Sequence, residues 1–251
     1  MNAADLKYQQ RLKTRARILD AARTIVSQSG YTALTMRRLA QAVNYSPAAL
    51  YMHFASREEI ALTLRDEARL ALIDALLAAL PTTAPTTASE LAAHSSAVPR
   101  RSRLAVPPES TPLLRLGYAW LAFARTYPHH YQLALLEPLA GPSLATSLAT
   151  SVSTLVTPSV AATSTNSIAS LLQPILAAVE ASPALAAHKA RRRSGTYRRA
   201  LQTHAEWALA TLHGIASLAL LQPGLLDHGA ESLLDAVLPA LERGPLQWLP
   251  A

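Results

Sequence analysis

Near the start of this 251-residue chain, the stretch Ser46-Pro-Ala-Ala-Leu-Tyr-Met-His-Phe54 lies between the cations Arg37, Arg38 and Arg57. Wound as a helix at 100° per residue, it puts Pro47, Leu50 and Phe54 on one side with Tyr51 at the edge. The other side presents Ala48, Ala49, Met52 and His53. A helix face turned to water usually carries Lys, Glu or Gln. Small, nearly uncharged residues suit a surface that must approach something closely. The floor of a DNA major groove is such a place, where an Ala methyl or a Met can touch thymine methyls while flanking polar groups grip phosphates. The plainer alternative, a helix buried on both sides, fits poorly with a segment so short and so well capped.

Other chemistries lack their residues. With no Cys, disulfides, thiolate metal sites and a cysteine nucleophile drop out. The eight histidines (His53, His94, His129, His130, His188, His204, His213, His228) form no i, i+4 pair and no His-Glu-x-x-His. His129 and His130 follow a proline at a helix start and read as solvent-facing. Eight glycines make neither a phosphate-cradling loop nor a nucleophile elbow. The sequence therefore reads as a non-enzyme with no metal and no cofactor.

Charge supports a polyanionic partner. Residues 1–70 hold eleven Lys/Arg against six acids, +5 of the chain's net +7. Such a patch gains affinity by displacing phosphate counterions, although a merely solvated surface would show the same charge. The sequence is 50% hydrophobic, enough for a core, which excludes disorder throughout. No run is long and apolar enough for a membrane span, and Met1–Arg17 reads as no secretory signal. Abundant Ala and Leu with few aromatics favour helices, so the expectation is an all-α, cytoplasmic protein.

The elements that must position the candidate face are legible in order. Ile18, Leu19, Ala22, Ile25 and Val26 repeat as one buried helical stripe, and Gly30 ends it. Thr35 caps a short helix with Met36, Leu39 and Ala40 inward. Asn44 tolerates the positive φ of the turn that follows. Ser46 and Pro47 start the third helix, and Ser56-Arg-Glu-Glu59 forms a capping box for a fourth, to about Leu80. This is a helix-turn-helix with flanking helices. Residues 1–62 are expected as a DNA-binding domain, joined by helix 56–80 to a Pro-rich flexible linker at 81–112. Residues 113–251 follow as a second helical domain, with helices near 113–126, 129–137, 167–181, 196–221 and 230–242, the last kinked or shortened by Pro239. Ser/Thr/Ala-rich 142–166 reads as a loop or weak helix, and the Arg191–Arg193 cluster with Arg198 and Arg199 as a solvated loop.

Thr35-Met-Arg-Arg-Leu-Ala40, Asn44-Tyr-Ser-Pro-Ala-Ala-Leu-Tyr-Met-His-Phe54 and Ser56-Arg-Glu-Glu-Ile60 together resemble the DNA-binding domain of TetR-type bacterial regulators over about residues 11–62. Asn44 stands where that family usually has Gly, and Arg57 where it usually has Lys; both keep the physical role. The resemblance implies Thr35 and Arg37 near the DNA backbone and Ser46, Ala48 and Ala49 at the leading end of a recognition helix, to whose groove face the helical wheel adds Met52. It makes Tyr51, His53 and Arg57 similar to phosphate-contacting residues. Tyr51 reads equally as a core residue with an exposed hydroxyl.

The second domain resembles the Trp-His-Gly type of TetR ligand-binding domain through Trp207, His213 and Gly214, with Tyr118–Ala124 and Tyr127–Tyr131 similar to its earlier helices. An apolar effector pocket is expected from Trp120, Phe123, Tyr127, Leu171, Leu172, Ile175, Trp207 and Leu212, oriented by Tyr118, Tyr131, Gln173 and His213. Gly214 suggests a close helix approach. Leu218, Leu233, Leu234, Val237, Leu238 and Leu241 are expected at a homodimer interface, the alternative being the monomer's own core. The whole reads as a regulator, expected to be a repressor, that binds a palindromic operator in double-stranded DNA and is released by a small hydrophobic effector, with no membrane partner. A sequence-indifferent DNA-coating protein and a helical carrier of apolar molecules remain as rivals.

Overall fold

A computed structural model describes residues 3–80, 110–137, 163–182 and 195–243. The expected linker up to residue 109, the soft region up to 162 and the Arg191–Arg193 cluster lie outside the described residues. Among the described residues every regular element is helical. The chain divides into two compact units, Met1–Arg69 with Tyr127–Thr165, and Leu70–Thr126 with Asn166–Ala251.

The first unit is built on α1 (Ala3–Ser29), α2 (Met36–Val43), α3 (Pro47–Tyr51) and the first part of α4 (Arg57–Ala79). The α1 stripe goes where its spacing puts it: Ile18, Ala22, Ile25 and Val26 are buried with Leu39, Leu50, Phe54, Ile60 and Leu64. Gly30 ends α1 at φ +76°. Arg23 ties α1 to α4 by two hydrogen bonds to Glu67, at 2.7 and 3.0 Å.

This unit also takes in a segment that the sequence assigned to the second domain. Helix α5 (Pro112–Thr126) stops before Tyr127, and α6 (Pro128–Tyr131) runs on into Gln132–Leu136, closed by a wide Glu137 N–H to Gln132 carbonyl bond of 2.9 Å. Tyr131, Leu133 and Ala134 are buried, and Leu133 belongs to the helix-turn-helix core. The buried Arg69 donates from Nε to the Ala134 carbonyl at 2.9 Å. A Cβ on Gly30 would sit 3.4 Å from His129 Nδ1, so α1's end and α6 touch closely. The two histidines expected to face solvent are only partly exposed, and burial lowers the pKa of His130. Tyr127 and Tyr131, expected in the effector pocket, belong to this unit instead.

The second unit comprises the end of α4, α5, α7 (Thr163–Ala181, from Asn166), α8 (Gly195–Leu221) and α9 (Gly229–Arg243). A close helix approach lies at Gly117 on α5. A Cβ there would be 2.5 Å from Leu238 Cδ1, 3.2 Å from Leu234 Cδ2 and 3.3 Å from Leu212 Cδ2. Glycine thus lets α9 and α8 close onto α5. The close approach expected at Gly214 is absent, since nothing lies within 4 Å of a Cβ there. Leu234 and Leu238, expected at a subunit interface, are core residues of their own chain. Tyr118 donates to Asp235 at 2.9 Å, and Arg125 pairs with Glu231, so α5 and α9 are also laced along their polar edge. Pro239 does not end α9, which continues to Arg243. Its last turn brings the buried Glu242 to the start of α5, where Thr111 and the Leu113 backbone bond it while burial pushes its pKa up.

Candidate nucleic-acid interface

Local signals place α3. The Thr35 hydroxyl accepts from Arg38 N–H at 3.2 Å, starting α2. Asn44 then adopts φ +57° and ψ +44°, the left-handed turn its side chain tolerates, and Tyr45 N–H closes on the Ala40 carbonyl at 2.9 Å. Ser46 Oγ accepts from Ala49 N–H at 3.1 Å, with Pro47 in the first turn. At the start of α4, Ser56 Oγ accepts from Glu59 N–H at 3.2 Å. Glu59 reaches back one residue further than expected, accepting from Ala55 N–H at 2.6 Å. Each such cap contributes about 1 kcal/mol, enough to define a helix of only five residues.

The exposed face is the expected one. Leu50 and Phe54 are buried, whereas Ala48 is exposed, Tyr51 is 55% exposed and Met52 73%. Tyr51 therefore is not a core residue. Pro47, drawn on the inner side by the helical wheel, is exposed. Thr35, Arg37 and Ser46 are exposed, while Ala49 and His53 are partly covered. Arg38 turns back to Ser29 Oγ at 3.2 Å, whereas the Arg37 side chain makes no hydrogen bond or ion pair among the described residues. Arg57 lies 4.8 Å over the Tyr31 ring and pairs with Glu58 at 3.1 Å, so a phosphate would have to compete with that pair.

Two residues that the sequence offered only as basic charge hold α3 from behind. Arg11 Nη2 donates to the Met52 carbonyl at 3.3 Å, and Arg15 Nη1 donates to the His53 carbonyl. Arg15 also reaches Glu59 at 3.2 Å and stacks its guanidinium 3.9 Å from the Phe54 ring centre. Carbonyls at a helix end have no partner within the helix and carry its negative pole, so two cations there complement it. Their i, i+4 spacing on α1 was a readable signal, but the partner carbonyls were not. The same cations, after burial as the first cause, lower the pKa of His53, whose Nδ1 has no partner.

This brace has a measurable consequence. Arg15→Ala should cost about 1–2 kcal/mol of stability and weaken DNA binding roughly tenfold, with every DNA sequence affected alike. Denaturant midpoints and binding isotherms on operator and random DNA measure both. A variant with unchanged affinity would show that α3 holds its position without Arg15.

Of the residues expected to form an effector pocket, Tyr118, Trp120, Phe123, Leu171, Ile175 and Leu212 are buried in the second unit. Leu172 and His213 are half-buried there, and Gln173 is exposed. Trp207 is 51% exposed and so does not fill that core.

Residues 18–64 match the family model described as bacterial regulatory proteins, tetR family. Over 58 residues the chain is 41% identical to the HTH-type transcriptional regulator UidR of Escherichia coli K12, and equally to UidR of Shigella flexneri. That stretch is 22% of this chain and 30% of those relatives. The solved structure of SCO4313 superposes at a TM-score of 0.58 with 24% identity, covering 93% of this chain and 97% of that one. A protein of unknown function from Rhodococcus sp. RHA1 gives 0.56 and 22%, covering 92% and 94%. The helix-turn-helix residues are thus similar to the TetR-family DNA-binding domain, and the described residues share their overall fold with these solved structures. No described helix is long and apolar enough to cross a membrane.

Proposed function

We propose that the chain is a DNA-binding transcriptional regulator, acting in the cytoplasm as a homodimeric repressor of a palindromic operator and released by a small hydrophobic effector. The observation that carries the reading is α3 itself. It is a five-residue helix capped at both ends, braced by Arg11 and Arg15, with Ala48, Tyr51 and Met52 open to a groove. A coating protein indifferent to sequence needs cations and stacking aromatics, not a methyl-rich face between them.

The relatives named UidR are transcriptional regulators, which supports the same reading for the matched stretch. Reading a palindrome takes two copies of α3, and the surface left for the partner lies on α8 and α9. On α8, Trp207, Gly214, Leu218 and Leu221 share one side and are exposed or half-buried. On α9, Leu233, Val237 and Leu241 remain half-buried beside the inward Leu234 and Leu238. Ligand response would travel along the chain at the three places where its described helices meet a boundary between the units, within α4, at the end of α5 and in the first turn of α7.

The test is footprinting on DNA upstream of the neighbouring genes, with two substitutions. Arg57→Ala should weaken binding alike on all sequences and lower the salt slope by about one phosphate. Ala49→Leu should mainly weaken the protected site. Equal losses on specific and random DNA for both variants would refute the groove assignment.

A further inference from the structure

The second unit holds two polar side chains that are buried without a partner on one stripe of one helix. Tyr197 is 4% exposed and His204 3%, and among the described residues neither the Tyr197 hydroxyl nor His204 Nδ1 makes a hydrogen bond. They are seven residues apart on α8, two turns, so they point from the same side about 10 Å apart along the axis. Leu201, Ala205 and Ala208 complete the stripe, and all are buried. A buried donor or acceptor left unpaired costs roughly 1–3 kcal/mol, and native proteins keep few of them. Two on one small-residue stripe mark a place where a bound molecule completes the hydrogen bonding. The other unpartnered atoms of this unit lie elsewhere: Ser217 Oγ falls on the opposite side of α8, Ser182 Oγ follows the end of α7, and Glu242 leaves only Oε1 unpaired while bonding Thr111 and the Leu113 backbone at the start of α5.

We propose that Tyr197 and His204 are the polar anchors of the effector site, and that the effector is an uncharged, elongated, mostly apolar molecule with a hydroxyl or carbonyl near each end. The proposal rests on the reading of the second unit as effector-binding, and replaces the polar set expected from sequence. Tyr118 is engaged with Asp235, Tyr131 belongs to the other unit and Gln173 is exposed. Both anchors can donate or accept, because a phenol does either and a neutral imidazole does either according to tautomer. Burial lowers the His204 pKa and keeps the ring neutral. Among the described residues of this unit no Lys or Arg is buried, so an anionic or phosphorylated ligand would enter without a counter-charge.

The probes are α,ω-hexanediol, octanediol and decanediol, with octanol and octanoate as controls. Binding to the full chain is followed by calorimetry and by thermal midpoint, alone and with Tyr197→Phe and His204→Phe. The free variants should be as stable as the parent or more so, since each loses an unpaired polar atom. One diol should bind more tightly than octanol and octanoate, and each substitution should weaken it roughly three- to tenfold, the worth of one hydrogen bond. A clear drop in midpoint for the free variants, no diol binding to the parent, or equal diol binding to parent and variants would each overturn the assignment. Failure of the wider reading looks different. Diols bound through both anchors without release of operator DNA would leave the site and remove the response. A compound that releases DNA equally from parent and both variants would leave the response and remove this site.

Discussion

Ala48→Glu is expected to fold like the parent and to lose on the order of 100-fold in affinity for its specific site. Ala48 is exposed on α3 and Glu is a good helix former, so the free protein has no reason to unfold. In the groove the new carboxylate meets phosphate potential and acceptor-rich base edges, and like-charge juxtaposition costs several kcal/mol. Circular dichroism with competition binding against random DNA measures both halves. Retained affinity would mean that α3 does not enter a groove. Arg15→Ala works on the same helix from behind, so the two variants separate contact from support.

The second large effect concerns α9. Leu238→Asp should destabilise by about 4–5 kcal/mol or more and leave much of the second unit unfolded, because it places an unpaired charge against Gly117 in a closed core. Leu221→Glu, by contrast, changes an exposed position on α8 and should yield a folded monomer with weak operator binding. Sedimentation combined with thermal melting distinguishes the cases. A folded, monomeric Leu238→Asp protein would put that residue back at a subunit interface. A dimeric Leu221→Glu protein would remove the α8 face from consideration.

Local rules in the sequence determined the helix-turn-helix part of the first unit. The α1 stripe, the Gly30 stop, the caps at Thr35, Ser46 and Ser56, and the Asn44 turn each rest on interactions within a few residues. Composition and period alone also made the chain all-α, and the open methyl-rich face of α3 followed from one helical wheel. The tertiary structure decided what joins distant segments. Nothing local tells Arg11 and Arg15 that carbonyls 41 and 38 residues away will need donors. Likewise, an apolar segment such as 127–137 shows that it will be buried but not in which unit. Leucines along α9 read the same whether they face a partner or Gly117, because periodicity gives the side of a helix and not what lies against it. The unpartnered atoms of Tyr197 and His204 belong to this second kind: a missing hydrogen bond exists only once every neighbour has been placed.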